Sequence, residues 1–317
     1  MDPKPFLRGV AFQAAGSVPY PRARQDSRLP ADTWAQAKIP VGVRLELVGD
    51  EVEIAYRTTT DDLGYRGEGA GRTFDVWRGG ERVDEEKAEL GEGTVKLSLG
   101  TGRDRGIVYL PEGMKPEILD VNGKVEPAPL QPRWVVYGDS VAEGWIASAP
   151  AMAWPAMVGR ERELDVLNMG YAGAARGEIP SAEHLAELGA DVITIAYGTN
   201  CWIRTAHSVG TAREGMAAFL EIVRAKHPET PIVVTSPIAR PDAELEPNPL
   251  GATLEHIRDA LEDAVRESVS AGDVNLELVP GRHLVHESQL GDGIHPNDEG
   301  HRALAEAIGA AVSARLA

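Results

Sequence analysis

The sequence predicts an α/β protein, a five-stranded parallel sheet with helices on both faces, preceded by an all-β sandwich. Up to about residue 130, short segments alternate apolar and polar side chains, which is typical of half-buried strands. Beyond it, nearly continuous apolar segments alternate with long amphipathic ones, the pattern of a parallel sheet covered by helices. Three prolines within Pro127–Pro132 separate the two patterns. We therefore predict two domains, residues 1–130 and residues 131–317.

In the N-terminal domain, short segments rich in β-branched residues predict strands, and no segment predicts a helix. The predicted strands are Val41–Val48, Glu51–Arg57, Thr73–Trp77, Thr94–Leu99 and Gly106–Leu110. Gly79-Gly80 and Val121–Lys124 predict turns, the second a hairpin because of its Asn-Gly step. Strands of this length and spacing are typical of a sandwich or jelly roll. Residues 127–132 are expected to form a stiff, extended linker.

In the C-terminal domain, predicted strands and helices alternate. The strands are Trp134–Tyr137, Asp165–Met169, Val192–Ala196, Ile232–Thr235 and Val274–Val279. The helices are Ala151–Arg160, Ala182–Leu188, Gly210–Lys226, Thr253–Ser270 and Asp298–Arg315. In such sheets, sites lie beyond the carboxyl ends of the strands. The residues that follow each strand are therefore the first candidates for a functional site.

Composition argues against several classes of partner. The chain has 32 basic and 49 acidic side chains, a net charge of −17, which disfavours nucleic acid and anionic membranes. Its single cysteine, Cys201, excludes an intrachain disulfide. The N-terminus has no apolar segment long enough for a signal peptide, and no apolar run is long enough to span a membrane. We therefore expect a cytoplasmic protein that acts on a small molecule.

Residues suited to acyl transfer follow the predicted strands. Ser140 follows the first strand, at a strand-to-helix turn on the rim of the sheet. A serine hydroxyl is a weak nucleophile until a base removes its proton, and His295 has the pKa range for that role. Asp292 lies three residues before His295, and Pro296 disfavours a helix there. A short loop can therefore bring the carboxylate onto Nδ1 of the imidazole.

The tetrahedral intermediate of acyl transfer carries a negative charge and needs hydrogen-bond donors. Three candidate donors follow the first, second and third strands. They are the backbone N–H groups of Ser140 and Gly173 and the side-chain amide of Asn200. This chemistry requires no cofactor, and none is predicted.

The ordered set of motifs resembles the GDSL, or SGNH, hydrolase superfamily over about residues 133–317. The matching blocks are Gly138-Asp139-Ser140, Asn168–Gly173, Gly198-Thr199-Asn200 and Asp292–Pro296. The resemblance implies a flavodoxin-like sheet, with Ser140 as the nucleophile, His295 as the base and Asp292 as the group that orients the base. It also implies an oxyanion hole formed by Ser140, Gly173 and Asn200.

Two further segments bear on this resemblance. Val141–Gly144 stands where family members often have Ile/Leu-Thr-x-Gly, which changes the rim of the pocket, whereas Asp139 looks like the turn-holding aspartate of the first block. The segment Arg72–Arg78 resembles the Gly-x-Asp-Leu-Tyr segment of an N-terminal β-domain in some bacterial SGNH proteins, with its glycine displaced. Carbohydrate esterases with a β-sandwich before an SGNH domain have the same layout, which implies an O-acyl sugar or a similar small ester as substrate.

Other residues near the strand ends are candidates for binding. Trp202, Arg176 and Arg240 are candidate substrate-binding residues, with a core tryptophan and solvated ion pairs as the alternatives. Cys201 is expected to be a buried or pocket-lining thiol rather than a nucleophile. The stretch 283–301 is rich in His and Asp but has no His-Glu-x-x-His motif, so no metal site is predicted.

Three functions fit these observations. The first is a serine esterase that cleaves a small O-acyl ester through an acyl-enzyme. The second is an acyltransferase, in which a sugar or amine captures the same acyl-enzyme in a water-poor pocket. The third is a carbohydrate-binding protein whose hydrolase domain is inert, and the presence of Ser140, Asp292 and His295 argues against it.

Overall fold

The N-terminal part of the computed structural model is built from two antiparallel sheets. The structure describes residues 1–64, 67–102 and 104–316. In those residues the strands are β1 (Leu7–Arg8), β2 (Arg44–Val48), β3 (Glu51–Thr58), β4 (Thr73–Arg78), β5 (Glu81–Lys87), β6 (Gly91–Ser98), β7 (Gly106–Tyr109), β8 (Glu117–Asn122) and β9 (Glu126–Pro127). A six-stranded sheet has the order β1-β2-β7-β4-β5, with β9 also paired to β2, and a three-stranded sheet has the order β6-β3-β8.

The two sheets share one apolar core, as a sandwich requires. Alternation along β3 points Val52, Ile54 and Tyr56 inward, where they pack in one cluster with Leu45 of β2 and Phe74 of β4. The predicted turn at Gly79-Gly80 joins the paired strands β4 and β5. The hairpin predicted at Val121–Lys124 is wrong, because β8 pairs with β3 and β9 pairs with β2. The chain crosses from one sheet to the other at this turn. An Asn-Gly step predicts a turn but does not show whether the two flanking strands pair with each other.

The expectation of no helix in this part is also wrong. Helix α1 (Ala31–Ala37) and helix α2 (Glu68–Arg72) interrupt the strands. Isolated helices this short are unstable in water, so α1 depends on packing. Ala37 is fully buried in a cluster that includes Val135 and Tyr137 of the C-terminal part, and Trp34 packs against the same cluster. The helix is therefore stabilised by contacts with residues about a hundred positions away in the sequence.

The C-terminal part contains the predicted parallel sheet. Its strands are β10 (Arg133–Gly138), β11 (Asp165–Gly170), β12 (Val192–Ala196), β13 (Ile232–Thr235) and β14 (Leu276–Val279), in the order β11-β10-β12-β13-β14. Its helices are α3 (Ser140–Glu143), α4 (Trp154–Glu161), α5 (Ile179–Ala186), α6 (Thr199–Ile203), α7 (Val209–Lys226), α8 (Leu254–Ser270) and α9 (Asp298–Leu316). The strand order reverses at β10, which places the crevice of a flavodoxin-like fold at the end of that strand.

Alternation along β10 fills both faces of the sheet. Val135 and Tyr137 pack on one face with residues of α7 and α8, and Trp134 and Val136 pack on the other with residues of α4 and α9. Because both faces are covered, the strand is apolar throughout its interior. The predicted fold class, a five-stranded parallel sheet preceded by an all-β region, is confirmed. The exact domain boundary at residue 130 stays a prediction.

Two arginines of the N-terminal part, buried Arg44 and half-buried Arg105, connect the two parts. Arg44 of β2 donates to Asp165 Oδ1 at 3.2 Å, at the first residue of β11. Arg105 bonds to Glu46 and to the carbonyl oxygens of Gly159 and Arg160. Charged groups are costly to bury unless they are fully hydrogen-bonded, so these contacts hold the two parts in one arrangement. In the described residues, no helix is both long and apolar enough to cross a membrane.

Candidate active site

Ser140 lies at the sharp turn between β10 and α3. A Cβ on Gly138 would be 2.5 Å from the Ala196 carbonyl oxygen, so only glycine allows β10 to end this close to β12. The carboxylate of Asp139 caps α3 by accepting from the Val141 N–H at 3.0 Å. Burial raises the pKa of Asp139 to about 6, although backbone N–H groups of Val141 and Thr199 and the charge of Arg240 oppose the rise. The turn thus fixes Ser140 at the amino end of a helix.

Asp292 and His295 form the predicted loop before the last helix. Gly293 has φ +82°, a left-handed conformation that favours glycine, and it allows the chain to fold back on itself. Asp292 Oδ1 accepts from the backbone N–H groups of Ile294 and His295, at 3.0 and 2.7 Å. Asp292 Oδ2 lies 2.8 Å from His295 Nδ1, and His295 Nε2 lies 3.0 Å from Ser140 Oγ. The three side chains therefore form one continuous hydrogen-bonded chain.

The electrostatics of this chain suit a neutral imidazole beside an ionised carboxylate. Burial lowers the pKa of His295 below its usual 6.5, the charge of Arg240 adds to that effect, and Asp292 opposes it. Partial burial pushes the pKa of Asp292 upward, but hydrogen bonds from His295 and Ile294 outweigh it and hold that pKa below its usual value. Near pH 7, His295 can therefore accept a proton, and Asp292 can stabilise the resulting imidazolium.

The loop that carries Gly173 is bonded to the Ser140 turn. Tyr171 N–H donates to the Gly138 carbonyl at 2.8 Å, and Ala172 N–H donates to Glu143 Oε2 at 2.8 Å. The N–H groups of Ala174 and Ala175 both turn back to the Tyr171 carbonyl. Gly173 lies inside this turn with φ +67°. In the described part of the chain, no acceptor takes the N–H of Gly173, which leaves it available to a ligand.

Asn200 lies in the first turn of α6 and is 3% exposed. Its Nδ2 donates to the Ala175 carbonyl at 3.2 Å, which ties the amide to the loop that carries Gly173. The backbone N–H of its neighbour Thr199 donates to the Asp139 carboxylate. Five predicted residues, Ser140, Gly173, Asn200, Asp292 and His295, thus belong to connected segments at the carboxyl edge of the sheet.

Comparison with known proteins gives the family. The model of the GDSL-like lipase/acylhydrolase family matches residues 131–313. The chain belongs to this family. A search of curated proteins gives no match.

Solved structures with the same fold include both the β-region and the GDSL domain. A salicylyl-acyltransferase, SsfX3, from a tetracycline biosynthetic pathway has a TM-score of 0.83 and 21% identity, over 97% of this chain and 94% of that chain. A GDSL-like lipase from Bacteroides ovatus has a TM-score of 0.80 and 21% identity, over 98% and 95%. A family two carbohydrate esterase from Clostridium thermocellum, in complex with cellohexaose, has a TM-score of 0.63 and 17% identity, over 86% and 92%.

The three candidate substrate-binding residues occupy different surroundings in the GDSL domain. Trp202 is half-buried, and its Nε1 donates to the Glu246 carbonyl at 2.8 Å. The guanidinium of Arg240 lies 5.4 Å from the Trp202 ring and pairs with Asp242 at 2.7 Å. Trp202 and Arg240 are therefore neighbours in space, and their role in substrate binding stays a prediction.

Arg176 faces the N-terminal region. Its guanidinium pairs with Asp32 of α1 at 2.9 Å and lies 3.6 Å from Glu178. The Arg176 side chain is 10% exposed and that of Asp32 is 51% exposed, so the pair is partly solvated. Arg176 thus links the GDSL domain to α1, and its contact with substrate stays a prediction.

Trp145, which was not among the residues singled out in the sequence, stacks on His295. The two ring centroids are 5.4 Å apart, and the planes are inclined by 30°. The Trp145 carbonyl lies 3.2 Å from Nε2 of His301, a fully buried histidine whose pKa burial lowers to about 4. The neutral ring of His301 thus connects α9 to the loop that carries Trp145. Its position five residues after Ser140 is the signal in the sequence that could have identified this loop.

The other residues singled out in the sequence have surroundings that suit structural roles. Cys201 is 1% exposed, and burial raises the pKa of its thiol well above the usual range, so it is not a thiolate near pH 7. His286 accepts from the Ser288 N–H at the start of a short 3-10 helix. No cluster of three or more potential metal ligands occurs in residues 1–64, 67–102 or 104–316.

Proposed function

We propose that this protein is a serine esterase that cleaves a small O-acyl ester through an acyl-enzyme intermediate. The observation that carries the proposal is the hydrogen-bonded chain from Ser140 through His295 to Asp292. A serine within 3.0 Å of an imidazole that is itself oriented by a carboxylate is the arrangement that activates a hydroxyl for acyl transfer. An inert binding protein has no chemical need for this alignment, so we do not favour a carbohydrate-binding role.

In the proposed reaction, Ser140 Oγ attacks the ester carbonyl carbon while its proton passes to His295 Nε2. The C–O bond to the alcohol then breaks, and His295 gives that proton to the departing oxygen. Water enters, loses a proton to His295 and attacks the acyl-serine carbonyl. The second tetrahedral intermediate expels Ser140 Oγ, which regains its proton, and the carboxylic acid leaves.

We assign the oxyanion of both intermediates to three donors: the N–H groups of Ser140 and Gly173 and the amide of Asn200. Ser140 N–H lies in the first turn of α3, where a backbone N–H has no acceptor within the helix. Loss of one such donor typically raises the barrier by about 3–4 kcal/mol. The contacts that fix the Gly173 turn and bury Asn200 support this assignment.

For the substrate we propose an O-acetyl group on a sugar or another small metabolite. The shared arrangement with a carbohydrate esterase over 86% of this chain supports this class. We propose Trp202 and Arg240 as one wall of the site, because an aromatic face and a cation suit a polar alcohol.

Acyl transfer to a second alcohol is the other candidate. The likeness to a salicylyl-acyltransferase over 97% of this chain favours it. Both reactions use the same acyl-enzyme and differ only in whether water or an acceptor attacks it.

The test is an assay of wild type, Ser140→Ala and the matched control Ser270→Ala on p-nitrophenyl esters of two to twelve carbons. Ser270 is exposed at the end of α8, so its loss leaves the site intact. We expect wild type and Ser270→Ala to hydrolyse the short esters and Ser140→Ala to be inactive. Folding of all three is checked by circular dichroism.

Equal activity in Ser140→Ala would overturn the serine mechanism. Acyl transfer is scored by adding glucose or glycerol and measuring the acylated product. If that product dominates over free acid, the protein is a transferase. A fluorophosphonate that labels wild type but not Ser140→Ala would identify the nucleophile independently of the substrate chosen.

A further inference from the structure

A buried arginine of the N-terminal region lies against the strand that leads into the Gly173 loop. Arg22 is 1% exposed. Its guanidinium donates to the carbonyl oxygens of Ile39 at 2.6 Å and Gln36 at 2.8 Å, on its own side of the molecule. It also donates to the carbonyl oxygens of Asn168 and Gly170, at the carboxyl end of β11. One side chain thus joins the N-terminal region to the strand that leads into the Gly173 loop.

The same guanidinium contacts a buried acid next to Ser140. Glu143, the last residue of α3, has a fully buried side chain, and its Oε2 lies 3.5 Å from Arg22 Nη2. That oxygen also accepts the Ala172 N–H at 2.8 Å. The helix and the strand are in close contact here, since a Cβ on Gly170 would lie 2.5 Å from the Glu143 backbone nitrogen.

The Arg22 backbone completes the connection. Tyr171 Oη donates to the Arg22 carbonyl at 2.6 Å, and the Arg22 guanidinium lies 5.2 Å from the Tyr171 ring. Tyr171 and Ala172 are therefore both held, one by Arg22 and the other by Glu143. Gly173 is the next residue, and the amide bond that presents its N–H begins at Ala172.

We propose that Arg22 and Glu143 are positioning residues for the oxyanion hole. Arg22 holds the Glu143 carboxylate, the carboxylate holds Ala172, and Ala172 sets the direction of the Gly173 N–H. The proposal rests on the proposed function, because it presumes that Gly173 binds the oxyanion. It assigns a catalytic purpose to the N-terminal region, which would then be a part of the active site rather than a separate binding module.

A second buried pair in the same strand provides the matched comparison. Arg44 and Asp165 also join the N-terminal region to β11, but at its amino end, away from Ser140. Both pairs are buried, so both contribute to folding. Only the pair at the carboxyl end contacts the Gly173 loop, so only that pair is expected to affect the chemical step.

The experiment compares Arg22→Lys with Arg44→Lys and Glu143→Leu with Glu143→Gln in the full-length chain. Lysine keeps the charge but loses the planar fork that reaches several carbonyls. Glutamine keeps an oxygen that can accept the Ala172 N–H, whereas leucine removes it. Each variant is assayed for kcat and KM on p-nitrophenyl acetate, for melting temperature, and for inhibition by an alkylboronic acid, which mimics the tetrahedral intermediate.

We expect Arg22→Lys and Glu143→Leu to lower kcat about tenfold or more at nearly constant KM. This fall in kcat is smaller than the fall that complete loss of one oxyanion donor causes. Boronate affinity should fall by a similar factor, because it depends on the same donors. Glu143→Gln should recover most of kcat. Arg44→Lys should lower the melting temperature but leave kcat and boronate affinity within about twofold of wild type, the scatter expected for a site that touches no reacting group.

Unchanged kcat and boronate affinity in both Arg22→Lys and Glu143→Leu would overturn the positioning role. An equal fall in Arg44→Lys would also overturn it, since any loosening of the two parts would then suffice. If Arg22→Lys does not fold, the comparison of kcat between Glu143→Leu and Glu143→Gln tests the positioning role. Activity that survives in Ser140→Ala would overturn the proposed function together with this inference. Loss of activity in Ser140→Ala, with normal kcat in both Arg22→Lys and Glu143→Leu, would overturn the inference alone.

Discussion

The N-terminal and C-terminal regions use buried polar groups in different ways. In the described residues, the proposed catalytic groups come from the C-terminal region. Ser140, Asn200 and His295 lie in segments that follow strands of the parallel sheet. The N-terminal region contributes arginines such as Arg22 and Arg44, which bond to carbonyl oxygens and acids of the other region. The proposed catalytic groups thus lie in one region. The arginines that bond to the strands beneath them come from the other region, far away in the chain.

The difference teaches how the two kinds of interaction constrain the fold. The Asp292–His295 contact spans three residues, so one tight loop creates it. The Arg22–Glu143 contact joins residues of the two regions, and it is present only when both have folded and docked. Removing one partner of a buried pair leaves an unpaired charge, which is strongly destabilising. Variants in each region therefore test whether catalysis and support can be separated.

The largest expected effect is that of Asp292→Asn. The amide keeps the size of the side chain but cannot stabilise an imidazolium, and it favours the wrong tautomer of His295. We expect kcat to fall about 10³–10⁴-fold with the melting temperature nearly unchanged. Steady-state kinetics and thermal unfolding of the same preparation measure both. A loss below tenfold would mean that His295 works without its carboxylate and that the site is a Ser–His dyad.

The sequence contained the site because each of its parts is short and local. Each proposed oxyanion donor follows a strand that its hydrophobic residues identify in the sequence. Parallel strands end at the same edge of a sheet, so Ser140, Gly173 and Asn200 are expected to lie at that edge. The sheet itself could be predicted for the same reason, since apolar strands and amphipathic helices alternate at regular spacing.

The contacts between regions could not be predicted in this way. Helix α1 is stable only because Ala37 enters the core of the other region, and a window of seven residues carries no sign of it. Arg22 resembles any surface arginine in the sequence until the carbonyls of Asn168 and Gly170 surround it. The stacking of Trp145 on His295 could not be predicted either, because it depends on where two loops that are distant in the sequence meet.

The second expected effect is that of Asn200→Ala in the C-terminal region. Its amide is one of three proposed oxyanion donors, and loss of one donor typically lowers turnover about 10²-fold or more. The fold should persist, because the Gly173 turn keeps its backbone hydrogen bonds to the Tyr171 carbonyl when the Asn200 bond to Ala175 is lost. KM for p-nitrophenyl acetate should change little if the amide acts only in the transition state. Unchanged turnover would remove Asn200 from the oxyanion hole.

The third effect is the pH dependence of kcat/KM. His295 must be neutral to accept the Ser140 proton, and burial lowers its pKa below 6.5. The rate should therefore be flat near neutrality and fall about tenfold per pH unit below that pKa. Removing the nearby positive charge by Arg240→Gln should move the midpoint of this fall to higher pH, because that charge disfavours the imidazolium. A wild-type profile with no fall at any acidic pH at which the protein stays folded would contradict a histidine base.

The smallest effect is expected from a charge of the N-terminal region that does not face the GDSL domain. Arg57 of β3 pairs with Glu92 and Glu117 on the exposed surface of the three-stranded sheet. Solvent screens such pairs, and the side chains lose conformational freedom in forming them, so their net contribution is small. We expect Arg57→Gln to leave kcat/KM unchanged and to shift the melting temperature by less than about 2 °C. A fall in kcat/KM would mean that the sandwich surface itself contributes to substrate binding, and the contrast between a catalytic and a supporting region would then fail.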